Sequence, residues 1–283
     1  MKNINLFIFS LIVIGLFSCQ EKKSESNLQW KFDNFEKLTY EYYQITENKS
    51  SFLKEILEQR GKNGTIFNKM TGSLIVSPKG DGKADIVFKN MEMSLLSVSE
   101  NGDTTQTMIQ TAPDFFMQDM DEFGKVGGSL NQQTELLSQT LFPIPSKKLK
   151  VGEKNKVSIA MPFNMFGSVI NVTGFNEITL NSVQDSRAKV STIIDVSEFD
   201  IPKEANVNYE CYMKGSSNYT FDTVQGYFDS LSLNITMVAK NMTNYDEKEN
   251  DSLSGQEAMM KQMTKGMSME MNTRISLKLK EVK

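Results

Sequence analysis

Methionines crowd near the C-terminus at Met259, Met260, Met263, Met267, Met269 and Met271, and thioether sulfur is a good ligand for Cu(I). The same residues have a plainer reading. Met267, Met269 and Met271 fall on every second position together with Thr273, Ile275, Leu277 and Leu279, the period of a strand with one face in a core. Methionine also fills irregular core gaps well. Carboxylates gather at Asp246, Glu247, Glu249 and Asp251, the oxygen chemistry that Ca²⁺ prefers, but without the alternating spacing and glycine of a binding loop. They read as a solvated hairpin tip. Asp119, Asp121 and Glu122 would suit glycoside chemistry only if held at a fixed separation with one raised pKa. They are expected instead on the polar face of a surface helix. Cys211 falls on an apolar strand face, and the chain has no histidine, which excludes Ser-His, Cys-His and His-metal arrangements. No catalytic residue, metal ligand or cofactor is assigned, and the chain is read as not an enzyme.

Ser51-Phe52-Leu53-Lys54 matches the S-x-x-K of penicillin-recognising enzymes, but their K-T-G and S-D-N partners are absent. A net charge of −4 without a basic block gives no footprint for nucleic acid.

The elements that would hold any site are mostly strands. Alternation runs from Met267 to Lys280, from Tyr227 to Ala239, through Ala188 to Val196 and through Ile170 to Leu180. A run from Tyr209 places Cys211, Met213, Tyr219 and Phe221 on one side. The first half is similar, with strands at Leu38–Tyr42, Met70–Val76, Ala84–Leu96 and Asp103–Gln110 and a hairpin turn across Ser77 to Gly82. Apolar parity shifts after Phe88, which predicts a bulge near Lys89-Asn90. Helices are expected at Ser51–Arg60, Pro113–Phe123 and Ser129–Leu141. The predicted fold is mainly β: long antiparallel strands in a strongly curved sheet or open barrel, with a few short helices in a central connector. A β-rich domain over 28–283 divides into possible halves, 28–112 and 150–283, joined by the connector 113–149. The connector is a cap on the sheet or a lid over a cavity. Phe115, Phe116, Met120, Leu137 and Leu141 are its candidate ligand-binding residues.

Met1-Lys2-Asn3, the apolar run Ile4 to Phe17 and then Ser18-Cys19 form a secretory signal over 1–18, too short to span a bilayer comfortably. Leu16-Phe17-Ser18-Cys19 resembles the lipobox of bacterial lipoproteins. The resemblance implies cleavage before Cys19 and lipidation of that cysteine. Its acyl chains would then anchor the protein, because each buried CH₂ contributes about 0.8 kcal/mol. Losing Lys2 makes the mature chain one unit more negative. Gln20 after the cysteine implies, by the same resemblance, the outer membrane, on its periplasmic or surface face. Residues 19–27 read as the lipidated cysteine and a polar tether.

Phe142-Pro143-Ile144-Pro145 followed by Leu149-Lys150-Val151-Gly152 resembles a family of secreted bacterial β-rich lipoproteins of unknown function, which implies a turn and then a strand. Asp103-Thr104-Thr105, Asp222-Thr223-Val224, Asp229-Ser230-Leu231 and Asp251-Ser252-Leu253 resemble bacterial O-glycosylation sites. Two functions remain open: an envelope protein holding an apolar or amphiphilic ligand, such as lipid or an acyl chain, and an interaction or structural module that offers its sheet to another envelope protein.

Overall fold

The computed structural model describes residues 25–50, 62–99, 103–127, 132–165, 168–200, 209–242 and 268–283. Within them the alternating runs become β1 (Glu25–Ser26), β2 (Leu38–Ser50), β3 (Lys62–Gly80), β4 (Lys83–Ser99), β5 (Thr104–Ala112), β6 (Phe115–Met120), β7 (Leu149–Lys150), β8 (Lys154–Met165), β9 (Ser168–Gln184), β10 (Arg187–Asp200), β11 (Tyr209–Asp222), β12 (Tyr227–Asn241) and β13 (Ser268–Val282). The helix α1 spans Gln132–Leu141. Ten strands run β5-β4-β3-β2-β13-β12-β11-β10-β9-β8, with β6 also paired to β4. Every pairing is antiparallel, and β2 pairs with β13 from Leu38↔Val282 to Ser50↔Met269. That pairing joins both β halves in one mainly antiparallel sheet.

Tight turns set the register where the sequence supplies residues that tolerate positive φ. Asp81 (φ 53°) with Gly82 turns β3 into β4, and Asp185 (φ 47°) with Ser186 (φ 69°) turns β9 into β10, the hand that suits twisted hairpins. The expected bulge is present. Asn90 has φ 53°, and the β3–β4 register slips between Thr71/Glu92 and Ser73/Lys89, which returns Met91 to the apolar face. The Val151-Gly152 turn before β8 is also as expected.

The sheet is strongly curved. Laid flat, β6 and β11 would stand about 29 Å apart, six spacings of ~4.8 Å. Yet the amide of Trp30 donates to Glu122 O, just beyond β6, at 3.0 Å, and the next amide, Lys31, donates to Gly226 O in the β11–β12 turn at 3.1 Å. Two consecutive residues reach both the β6 edge and the β11–β12 turn only if the sheet curls around them. Inner-face glycines permit this. A Cβ on Gly174 would stand 2.5 Å from Val196 Cα, and one on Gly215 would stand 3.2 Å from Ile235 Cα, so neighbouring backbone lies directly over both positions.

Apolar side chains of the inner face form one core, densest at the end where the turns lie. Trp30 packs there at 5.2 Å from Phe228 and 5.4 Å from Phe142, and Tyr219 stands 4.8 Å from Phe228. The Tyr219 hydroxyl donates to Pro143 O at 2.7 Å, tying the Phe142-Pro143 segment to β11.

The connector differs from expectation. Residues 113–123 do not form a helix: Phe115–Met120 is strand β6, paired with β4 at Phe88, Val87, Ile86 and Ala84. Short apolar runs suit either state, and here the open edge of β4, short of a partner beyond β5, decides for strand. The helix expected over 129–141 is present as α1 in its described part, Gln132–Leu141. Glu25–Ser26, expected inside the tether, pairs with Leu149–Lys150. The 51–60 helix, Met259 to Met267 and the 246–251 acidic loop lie outside the described residues.

Candidate ligand-binding face

On β2 the inward positions are Leu38, Tyr40, Tyr42, Gln44, Thr46, Asn48 and Ser50. Leu38, Tyr40 and Tyr42 are buried, whereas Gln44, Asn48 and Ser50 are half-buried. Beside them on β13, Leu277 and Ile275 are buried, Thr273 and Met271 half-buried and Met269 exposed. Along β2 and β13 the interior is therefore shut at the turn end and becomes accessible towards the opposite end.

A single cross-strand row marks the change. It runs Val157, Asn176, Ile194, Gly215, Ile235, Thr273, Thr46, Asn68, Leu95 and Met108, from β8 to β5 across ten strands. Four of its members are polar, and none is charged. Thr46 and Thr273 share a hydrogen bond of 3.0 Å, and Gln44 Nε2 donates to Thr46 Oγ1 at 3.1 Å. The Tyr42 hydroxyl donates in turn to Gln44 Oε1. One row nearer the turns, Thr192 and Ser217 pair at 2.8 Å, both fully buried. Asn176 is the exception: it is 1% exposed, and neither its Oδ1 nor its Nδ2 has a hydrogen-bond partner. Most buried amides in folded proteins are satisfied.

Past the row, Met237 opposite Met271 on β12 and β13 and Asn48 on β2 are half-buried, whereas Ile159, Val172, Val196 and Met213 on β8 to β11 are buried; Met70 and Met93, opposite each other on β3 and β4, stand one step nearer the turns. Where side chains are described, the inward positions at and beyond the row carry no Asp, Glu, Lys or Arg. This arrangement offers apolar surface, soft sulfur and a few neutral hydrogen-bonding groups.

The candidate lid residues lie on two separate elements. Phe115, Phe116 and Met120 lie on β6 at the β4 edge, while Leu137 and Leu141 lie on α1, which packs against β8 with Gln139 Nε2 donating to Ala160 O at 3.3 Å. Phe115 packs on Phe88 at 5.3 Å, Met120 and Leu141 are wholly buried, Leu137 is half-buried and Phe116 is exposed. β6 extends the β4 edge of the sheet, and α1 lies against β8.

The other candidates resolve into structural roles. Asp119 does not sit on a helix; it lies within β6 and ion-pairs with Lys79 at 3.0 Å. The hydrogen bond from Lys79 holds its carboxyl below the usual range, the opposite of a general acid. Cys211 lies on the inner face opposite Ala239, and burial, aided by the charge of Glu210, pushes its thiol up to about 11. Asp229, in one of the O-glycosylation look-alikes, pairs with Arg187 at 2.7 Å. The outer face holds an open trough of about 570 Å³, lined among others by Lys189, Asn218, Leu231, Ser232, Ser276 and Lys278. Sequence reasoning did not single out Asn176, Gln44 or Thr46. The available signal was a polar residue at an inward position of an otherwise apolar register, as at Thr273 and Thr192.

Among the described residues no helix is long and apolar enough to cross a membrane, and no group of His, Cys, Asp and Glu stands ready to hold a metal ion. No family model matches the chain, and no curated protein matches it. Among solved structures it is similar to the InvG secretin domain β-barrel from the Salmonella SPI-1 injectisome NC-base, at 10% identity over 99% of this chain and 68% of that one. The TM-score is 0.15, and no argument rests on that likeness.

Proposed function

We propose that this protein is a non-enzymatic cell-envelope lipoprotein, lipidated at Cys19 and held in the outer membrane, that binds an apolar or amphiphilic ligand such as a lipid or acyl chain on the inner face of its curved sheet. One observation carries the ligand reading: along β12, β13 and β2 the inner face passes from a sealed core to the half-buried and uncharged positions Met237, Met271 and Asn48. A sheet built only to fold has no need to leave so much inward apolar surface partly uncovered. The lipobox resemblance at Leu16 to Cys19 supports the anchor. Ligand binding is tested by native mass spectrometry with lipid extraction on the full chain purified without detergent. Stoichiometric co-purified lipid is the expected result. A clean apo mass with no uptake on lipid titration refutes the reading.

A second reading, a module that engages another envelope protein, is favoured by β5. This edge strand pairs only with β4, carries no charged residue or proline, and leaves Ile109 71% and Met108 53% exposed. Long uncharged edges are templates for strand addition. Cross-linking in cells of the native host, read by mass spectrometry, tests it. Cross-links from β5 to a partner chain favour it, and their absence counts against it.

A further inference from the structure

We infer that the ligand of the inner face is a neutral amphiphile and that Asn176 recognises its ester, amide or hydroxyl group; this rests on the ligand-binding reading above. Asn176 stands on β9 with its side chain in the polar row. Its row neighbours are Val157 and Ile194, which have nothing to donate or accept. A primary amide that is 1% exposed with both polar atoms unpartnered is costly to hold in a core. Among the described residues it is the one side chain in which two polar atoms are stranded together. A carbonyl oxygen can accept from its Nδ2, and a hydroxyl can donate to its Oδ1.

The surroundings set the charge of the ligand. The row brings Asn176, Thr273, Thr46 and Asn68 into the interior without a single cation or carboxylate. A phosphate, carboxylate or ammonium carried to this depth would lose its water without gaining a counter-ion. A plain hydrocarbon would leave the amide as it is. A neutral polar group on an apolar tail satisfies both constraints, with the tail running along Met237 and Met271 towards the accessible end. Thr46, Thr273 and Gln44 are already bonded to one another, so Asn176 is the position that gains most from a ligand.

The test titrates the full chain with monoolein, oleate, dioleoylphosphatidylglycerol and hexadecane, reading affinity by tryptophan fluorescence and stoichiometry by native mass spectrometry. Monoolein is expected to bind at least tenfold tighter than oleate or the anionic phospholipid. Asn176→Leu, close in shape and without the amide, is expected to weaken monoolein about tenfold, the scale of one lost hydrogen bond, while leaving hexadecane uptake unchanged. Thermal melting of the leucine variant checks its fold, and Asn176→Ala carries the same comparison if that variant does not fold. Equal affinity for monoolein and oleate, or an unchanged monoolein affinity in the variants, overturns the assignment and leaves the apolar-ligand reading standing. No uptake of any probe by the wild type overturns that reading and this one together.

Discussion

Gly174→Ala tests whether the curl of the sheet is as tight as the inner face requires. The added Cβ would stand 2.5 Å from Val196 Cα and also press on Asp195 O, where ordinary carbon contacts begin near 3.5 Å. Both obstacles are backbone, so β9 and β10 must separate by roughly 1 Å within a pairing that spans Arg187↔Gln184 to Asp200↔Asn171. Overpacking of this kind costs about 1–3 kcal/mol. Replacing glycine lowers the entropy of the unfolded chain and returns about 0.4–1 kcal/mol. The net expectation is a loss of about 1–2 kcal/mol, or roughly 2–8 °C in Tm for a domain of this size. Reversible urea unfolding followed by far-UV circular dichroism measures it, with the exposed Ser158→Ala on β8 as control. An alanine variant as stable as the wild type would show that neighbouring backbone does not crowd Gly174, and the argument for a tightly coiled sheet would fail with it.

Other outcomes follow from single contacts. Thr192→Val should cost about 1–3 kcal/mol by stranding the Ser217 hydroxyl, while the Thr192→Val/Ser217→Ala pair should recover about 1 kcal/mol of that loss; a double-mutant cycle in urea measures the coupling, and additivity would refute the bond. The thiol of Cys211 sits at about 11 against an ordinary 9.0, so at pH 8 its alkylation should be roughly a hundredfold slower in the folded than in the urea-unfolded chain, with the folded rate climbing towards pH 11. Equal rates would place the thiol in water. Because that pKa is raised in the folded state, the stability it gives is complete below pH 9 and is lost as the pH rises through about 11, the direction expected when the acidic form is neutral and buried. Cys19→Ala should move the protein from the membrane fraction to the soluble fraction in its native host; a variant that still pellets with membranes would refute lipid anchoring at that residue.

Strand existence was legible because period-two alternation needs only local information. Tyr227 to Ala239 and Met267 to Lys280 anticipated β12 and the described part of β13 to within a few residues. The parity slip after Phe88 located the bulge at Asn90. The connector was misread at Phe115 to Met120, since a six-residue strand is too short for periodicity to separate it from a helical turn. The edge of β4, contributed by residues some thirty positions earlier, settled it.

The candidate binding face divides the same way. Sequence by itself determined which side chains point inward, because alternation is a property of the backbone, and it determined that those side chains are apolar with a few neutral polar exceptions. Only the tertiary structure decided which exceptions meet. Asn176 and Thr46 are separated by more than a hundred residues, and they share one row because β2 pairs with β13 and the register passes unbroken through four further strands. Hydrogen-bond satisfaction is likewise non-local: Thr46 finds Thr273 across the β2–β13 seam, while Asn176, flanked by Val157 and Ile194, finds no one. No spacing in a linear sequence encodes that difference, because it depends on which strands the folded sheet sets side by side.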